Sequence, residues 1–433
     1  MEREEVRILK NRIRLYTLKN PASHGFFLSV FLLAGSMYES AEESGITHFL
    51  EHVAIRNVNA IMNGELYPML DRYGMEFNAA TYSEMVQFYI SGAAPSFGRA
   101  IPVVEAMLSP IALSPSEISQ ERERIKAEIR ESDEKSSLTS FTAEAVHAGT
   151  NLARGITGTV GAVNRITKKR LEEYRRRVFT PENLFIYITG NYSDDELDRL
   201  AEAVGKIELS DGEKHENLAP VCEKFGKRGG EVLVKNGDFT IARFNFDIDM
   251  SRVTSAECDL VYEILLSGYA SRLFTELSER RGLFYDVSGA IERYRNIGCL
   301  YFFYELDRDR LEEAVRLTLD TVRELCEEVL PEEKCMKAGY TDNGYMLLDD
   351  PRELNFTFAY DNHVMSSGYD SIDSRAEQYR RITPQRIREV ADLIFRPENL
   401  TLTVKGKKSK IDAAALGRLA TGFRGDNDGY KKD

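Results

Sequence analysis

Histidine is scarce in this chain, with six residues in 433, and cysteine is scarcer, with five. Basic charge is in deficit too: 57 Lys and Arg stand against 70 Asp and Glu, for a net charge of −13. Each shortage excludes something. A chain this acidic lacks the basic footprint that nucleic-acid binding needs. The cysteines (Cys222, Cys258, Cys299, Cys326 and Cys335) all lie in the second half, are odd in number and form no CxxC pair. That pattern speaks against a zinc–thiolate site and for free, buried thiols in a reducing cytoplasm. No apolar run approaches the ~18–20 residues that cross a bilayer. The longest, FFLSVFLLAG at Phe26–Gly35, has the length of a strand. The N-terminal stretch MEREEVRILKNRIRLYT is heavily charged and has no apolar signal-peptide core. The expectation is a cytoplasmic protein without membrane association.

Hydrophobic residues make up 42% of the chain and charged residues 29%, so there is apolar material for more than one core. An internal repeat organises it. RITKKRLEEYRRRVFTPENLFIYITG (Arg165–Gly190) and RITPQRIREVADLIFRPENLTLTVKG (Arg381–Gly406) align without a gap at a numbering offset of 216. In each, a threonine (Thr167, Thr383) is placed to cap a helix. An amphipathic stretch follows, a proline (Pro181, Pro397) closes it, and a β-rich run ends at a glycine. The same offset pairs the strand-like runs Val86–Gly92 and Phe302–Arg308, each followed by a helix-like segment, Phe97–Leu108 and Arg310–Leu325. The reading is an α+β chain of two homologous domains, each a mostly antiparallel sheet packed with helices. Residues 1–208 form the first domain, 209–228 a polar linker, 229–421 the second domain and 422–433 a polar tail.

Two of the six histidines stand four residues apart in GITHFLEH, Gly45–His52. On a helix His48 and His52 share a face, with Glu51 on the same side. Imidazole suits Zn²⁺, and a catalytic zinc takes three protein ligands and keeps one position open. A third ligand is therefore required. SPSEISQERERIKAEIRESDEK (Ser114–Lys135) is a charged helix candidate, with Ser114 or Ser116 as its cap, on which Glu121, Ile125 and Glu128 share a face. The local pattern alone does not choose among Glu117, Glu121, Glu123, Glu128 and Glu131.

The order His-x-x-Glu-His is that of the inverzincins. LLAGSMYESAEESGITHFLEH, FNAATYSEMVQFYISG, RGITGTVGAVNRIT and the repeated PENL resemble the pitrilysin/insulinase family, in its half-size branch that includes mitochondrial processing peptidase. The resemblance covers nearly the whole chain. It implies Zn²⁺ as cofactor, with Glu128, at the family's separation beyond the second histidine, as third ligand to His48 and His52. It implies Glu121 as the support of a ligand and Glu51 as general base. It implies that Asn78, Ala79 and Ala80 form the exposed edge strand on which a substrate peptide is laid. The activity implied is that of a zinc metalloendopeptidase acting on short or unfolded peptides.

At the 216 offset His48, Glu51 and His52 fall on Ile264, Ser267 and Gly268, and Glu128 on Gly344. No histidine lies between His215 and His363, so the second half cannot repeat the site even if the register slips. SGYASRLFTELSERRGLFYDVSGA (Ser267–Ala290) resembles the family's C-terminal-domain signature, which implies a catalytic pair, an arginine and a tyrosine seven apart that bind substrate and stabilise the oxyanion. Tyr285 takes the tyrosine place, but Ser278 stands where the arginine is expected. Serine cannot supply a cationic, forked donor. Arg280 and Arg281 lie nearby on other helix faces, and Arg272 reads as packing or a local ion pair. The implied assembly is a dimer enclosing a chamber, either of two such chains or with a homologous, arginine-bearing subunit. After the motif, VAIRNVNAIMNGELYPML departs from the Phe-Lys-Gly-Thr-like stretch common in the family. Two other functions stay open: a non-catalytic structural subunit of the same fold, and a processing subunit dedicated to one leader peptide.

Overall fold

The computed structural model describes residues 4–131, 137–212, 229–294, 297–346, 350–365 and 371–424. Most of the expected linker, with Cys222, and most of the expected tail lie outside the described residues. The chain divides into two compact units, each built on one mixed sheet.

The elements of the first half are β1 (Glu5–Ile8), β2 (Arg14–Lys19), β3 (Gly25–Leu32), α1 (Ile46–Ile61), α2 (Leu66–Tyr73), β4 (Glu76–Thr81) and β5 (Val86–Ala93). They continue with α3 (Ala100–Leu108), α4 (Pro115–Glu131), α5 (Leu138–Val146), α6 (Val160–Arg165), α7 (Lys168–Val178), β6 (Leu184–Gly190) and α8 (Asp194–Gly205). The second half holds β7 (Glu231–Asn236), β8 (Thr240–Asp249), α9 (Ser255–Leu265), β9 (Ser288–Arg293), β10 (Ile297–Leu306) and α10 (Leu311–Glu327). It ends with α11 (Pro331–Met346), α12 (Pro351–Ala359), α13 (Ile372–Arg381), α14 (Pro384–Ile394), β11 (Leu400–Gly406) and α15 (Ala413–Gly422).

The first sheet has strand order β1-β2-β6-β3-β5-β4 and the second β7-β11-β8-β10-β9. Each is antiparallel except for one parallel pair, β2 with β6 and β7 with β11. The local chemistry explains the repeated helices. Thr167 and Thr383 accept from the N–H three residues on and start α7 and α14, whose bounds keep the offset of the sequence repeat. Ser193 and Thr254 each form a reciprocal capping box with a glutamate three residues on.

Two helices cross over. Residues 346–372, with α12, are compact with unit 1, and residues 135–146, with α5, are compact with unit 2. Neither contiguous half is therefore a complete unit. In unit 1, α1, α3, α7 and α8 bury their apolar sides in one core with the sheet, and α12 packs on β3 and β6. Burial on both faces explains why β3 reads as a continuous apolar run rather than an alternating one. The fully buried Asn355 of α12 donates to the carbonyls of Phe27 and Tyr187 and accepts from Ser29 Oγ, which in turn accepts from Gln87. In unit 2, Thr142 of α5 bonds Thr403 of β11. Among the described residues Cys258, Cys299 and Cys326 are buried thiols in no disulfide, as expected, whereas the thiol of Cys335, on α11, is exposed.

Candidate metal centre

The motif helix α1 is entered through Gly45, the residue before it, whose φ of +85° is left-handed and disfavours any side chain. A Cβ there would also lie 2.6 Å from the Thr157 carbonyl. The quoted stretches GITHFLEH and RGITGTVG thus touch backbone to backbone. Glu39 holds the first turn: its carboxylate accepts from the N–H of Gly45 at 2.8 Å and of Thr47 at 2.9 Å. Burial pushes the Glu39 pKa up to about 7, against the opposing effect of those two bonds.

One turn on, His48 and His52 stand with ring centroids 4.6 Å apart. Helix α4 brings Glu128 to them. Glu128 Oε1 is 3.5 Å from His48 Nε2, and Oε2 is 3.3 Å from His52 Nε2. Ligand atoms of the three residues all lie within 4.8 Å of one another, and among the described residues they form the one grouping able to hold a metal ion. Four ligand atoms set tetrahedrally at ~2.05 Å from Zn²⁺ stand about 3.3 Å apart. The spacing of the two histidines to Glu128 therefore fits that ion.

Glu121, 1% exposed, accepts from His52 Nδ1 at 3.1 Å and from Arg56 Nη1 at 3.2 Å. This bond assigns the proton of neutral His52 to Nδ1 and leaves Nε2 free to ligate. Burial alone would lower the His52 pKa, but the Glu121 bond and the Glu51 and Glu128 carboxylates outweigh it and raise it. His48 goes the other way, down to about 4, chiefly through burial and then through the charge of His52. Its Nδ1 is buried without a hydrogen-bond partner among the described residues. Burial would raise the Glu121 pKa, yet His52, Arg56 and Arg124 hold it low. Glu51, buried beside the histidines, accepts from Thr81 Oγ1 at 2.5 Å.

Of the five glutamates on α4, Glu117 bonds the Ser114 cap, Glu123 pairs with Lys126 and Glu131 is exposed. Asn78, Ala79 and Ala80 lie on β4, which pairs with β5 on one side and ends the sheet on the other. Its last residue is Thr81, so the edge strand and Glu51 share a contact. Tyr285 belongs to unit 2 and is 96% exposed. Ser278 donates its hydroxyl to the Phe284 carbonyl. Arg280 and Arg281 both pair with Glu276, and Arg272 grips Glu333 with two nitrogens. Sequence reasoning missed Glu39, Arg56 and Thr81. Arg56, four residues past His52 on one face, had a helical-spacing signal. Thr81 closes a quoted strand but bonds a side chain on a different element, and Glu39 lies outside capping-box spacing.

Among the described residues no helix is long and apolar enough to cross a membrane. Residues 14–160 match the family described as Insulinase (Peptidase family M16), and residues 165–338 match Peptidase M16 inactive domain. An uncharacterized zinc protease of Mycobacterium bovis is 23% identical over 402 residues, covering 88% of this chain and 89% of that one. A protease from Helicobacter pylori shares the fold with a TM-score of 0.80 at 16% identity, over 93% of this chain and 99% of that one. A chain of complex III2 from Candida albicans does so with a TM-score of 0.79 at 14% identity, over 96% and 99%. With the inverted motif on α1 and both halves matched, this chain belongs to the pitrilysin/insulinase-like M16 family.

Proposed function

We propose that the chain is a zinc-dependent endopeptidase that hydrolyses short or unfolded peptides. The observation that carries this reading is the gathering of ligand atoms from His48, His52 and Glu128 within 4.8 Å of one another, with the Glu51 carboxylate beside them. These three residues would hold the ion, which when bound supplies Lewis acidity and a water nucleophile available near neutral pH. Glu51 takes the proton from the attacking water and passes it to the departing amine nitrogen, as general base and then general acid. Thr81 fixes the rotamer of Glu51 by its short bond. Glu121 fixes the tautomer and ring plane of His52. The free edge of β4 accepts the substrate as an added strand, through main-chain bonds near Asn78, Ala79 and Ala80. Only an extended segment can present those groups, which restricts substrates to unfolded chains.

A second reading concerns the partner. Ser278, Arg280 and Arg281 are all engaged within unit 2, so none is offered as the forked donor expected beside Tyr285. This favours a heterodimer with an arginine-bearing homologous subunit over a self-sufficient homodimer. The test is hydrolysis of a mixed peptide library by the purified chain, with metal content measured on the same sample. Glu51→Gln is expected to keep the metal and lose about 10²–10⁴-fold in rate. Undiminished hydrolysis by that variant would overturn the mechanism. Zinc without activity in the native chain points to the missing partner, and absence of zinc to a structural subunit.

A further inference from the structure

Helix α1 runs antiparallel to α4, meeting it at two places and meeting the segment before it at a third. His48 faces Glu128 at one end, and His52 and Arg56 bond Glu121 in the middle. At the far end Asn57, 2% exposed, donates from Nδ2 to the Pro110 carbonyl at 3.0 Å. Its Oδ1 accepts from the Ala112 N–H at 2.7 Å. Both bonds fall on the backbone flanking the buried Ile111, in the short segment that leads into α4. The side chain comes from VAIRNVNAIMNGELYPML, the stretch that directly follows the histidine pair.

We infer that Asn57 is a positioning residue of the metal centre, setting the entry of α4 against α1 and thereby the distance from Glu128 to the two histidines. The inference rests on the zinc reading above. The geometry gives it leverage. Glu128 lies seven residues beyond Glu121 on α4, about 10 Å along the helix axis. If α4 pivots at Glu121, a tilt of about 1° moves Glu128 by about 0.2 Å, which is the tolerance of a metal–ligand distance. An amide that donates and accepts at once is matched to the carbonyl and N–H it meets. Alanine leaves both of these part-buried backbone groups without their side-chain partner.

The experiment is titration of the full chain with Co²⁺ and Zn²⁺, reading affinity by chelator competition and geometry by the visible cobalt bands. Asn57→Ala is expected to weaken metal binding ten- to a hundredfold, the range for residues that support a ligand, and to change the cobalt band intensity. Asn57→Asp keeps the acceptor and loses the donor, and is expected to fall between the two; it also serves if the alanine variant does not fold. The decisive arm is the Glu128→Gln background. A positioning role acts through Glu128, so Asn57→Ala should then add little further loss. Equal loss in both backgrounds, or native affinity and native cobalt bands in both Asn57 variants, would overturn the inference. A native chain that binds neither metal overturns the zinc reading itself, and this inference with it.

Discussion

Glu121 and Lys337 occupy the same place in the two units. Each is the seventh residue of its helix, α4 or α11, counted from the first residues Pro115 and Pro331. Both are almost fully buried. Glu121 accepts from His52, whereas Lys337 donates its ammonium to the carbonyl of Ser267, the position matching Glu51. Burial lowers the Lys337 pKa, while Glu263 and Glu333 partly counter it. The facing helices differ in step. α1 runs 16 residues, through both histidines, while α9 spans 11 and stops at Leu265. Gly268, in the place of His52, has a φ of +75°. One scaffold therefore carries either a buried carboxylate beside a His-His-Glu grouping or a buried cation of its own. The strands and helix caps do not decide which; His48, His52 and Glu128, replaced in the second unit by Ile264, Gly268 and Gly344, do, together with a continuous α1.

The most severe way to break this comparison is to give unit 1 the residue of unit 2. Glu121→Lys sets a cation against His52, Arg56 and Arg124 in a buried place. Zinc affinity should fall by more than ~100-fold, beyond the usual cost of losing a supporting residue. Stability should drop by about 3–5 kcal/mol, because the remaining charges lose their partner. A retained zinc affinity would show that Glu121 is dispensable. Acid is the next lever. Zinc requires neutral imidazoles, and the metal-free His52 pKa lies above the ordinary 6.5 while that of His48 lies at about 4. As pH falls through the raised His52 value, one proton competes with zinc, and affinity should drop about tenfold per pH unit. A loss of a hundredfold per unit from the outset would mean both rings titrate together. The mildest change is Lys337→Met. It should cost about 1–3 kcal/mol for the orphaned Ser267 carbonyl, read by denaturant unfolding, and leave the zinc dissociation constant unaltered.

The sequence made the repeat legible because caps, prolines and strand ends are local chemistry. Thr167, Thr383 and the PENL turns sit where their spacing places them. The register slips between those anchors: β5 is Val86–Ala93 but β10 is Ile297–Leu306, so it starts five positions and ends three positions short of the 216 offset. The histidine pair was legible because i and i+4 share a face. Its third member was not, since five glutamates on α4 look alike until another helix buries one of them and aims another at the histidines. Asn57, Thr81 and Glu39 were invisible for a related reason. Each bonds backbone or side chain that no local pattern brings near. The exchanged helices α5 and α12 were hidden because amphipathic spacing shows that a helix has an apolar side but not which sheet it covers.

That exchange has a consequence for how the chain is made. The last strand of the first sheet is finished at Gly190, but Asn355, which satisfies the carbonyls of Phe27 and Tyr187, follows only after four of the five strands of the second sheet. At ~5–20 residues per second, the intervening stretch takes on the order of ten seconds or more to translate. For that interval the nascent first unit holds His48, His52 and Glu128 and lacks the helix α12 that packs on its sheet. Ribosome-arrested chains ending before α12 should be open to protease in β3 and β6, and those ending well past it resistant; equal sensitivity would mean that the sheet closes without its late helix.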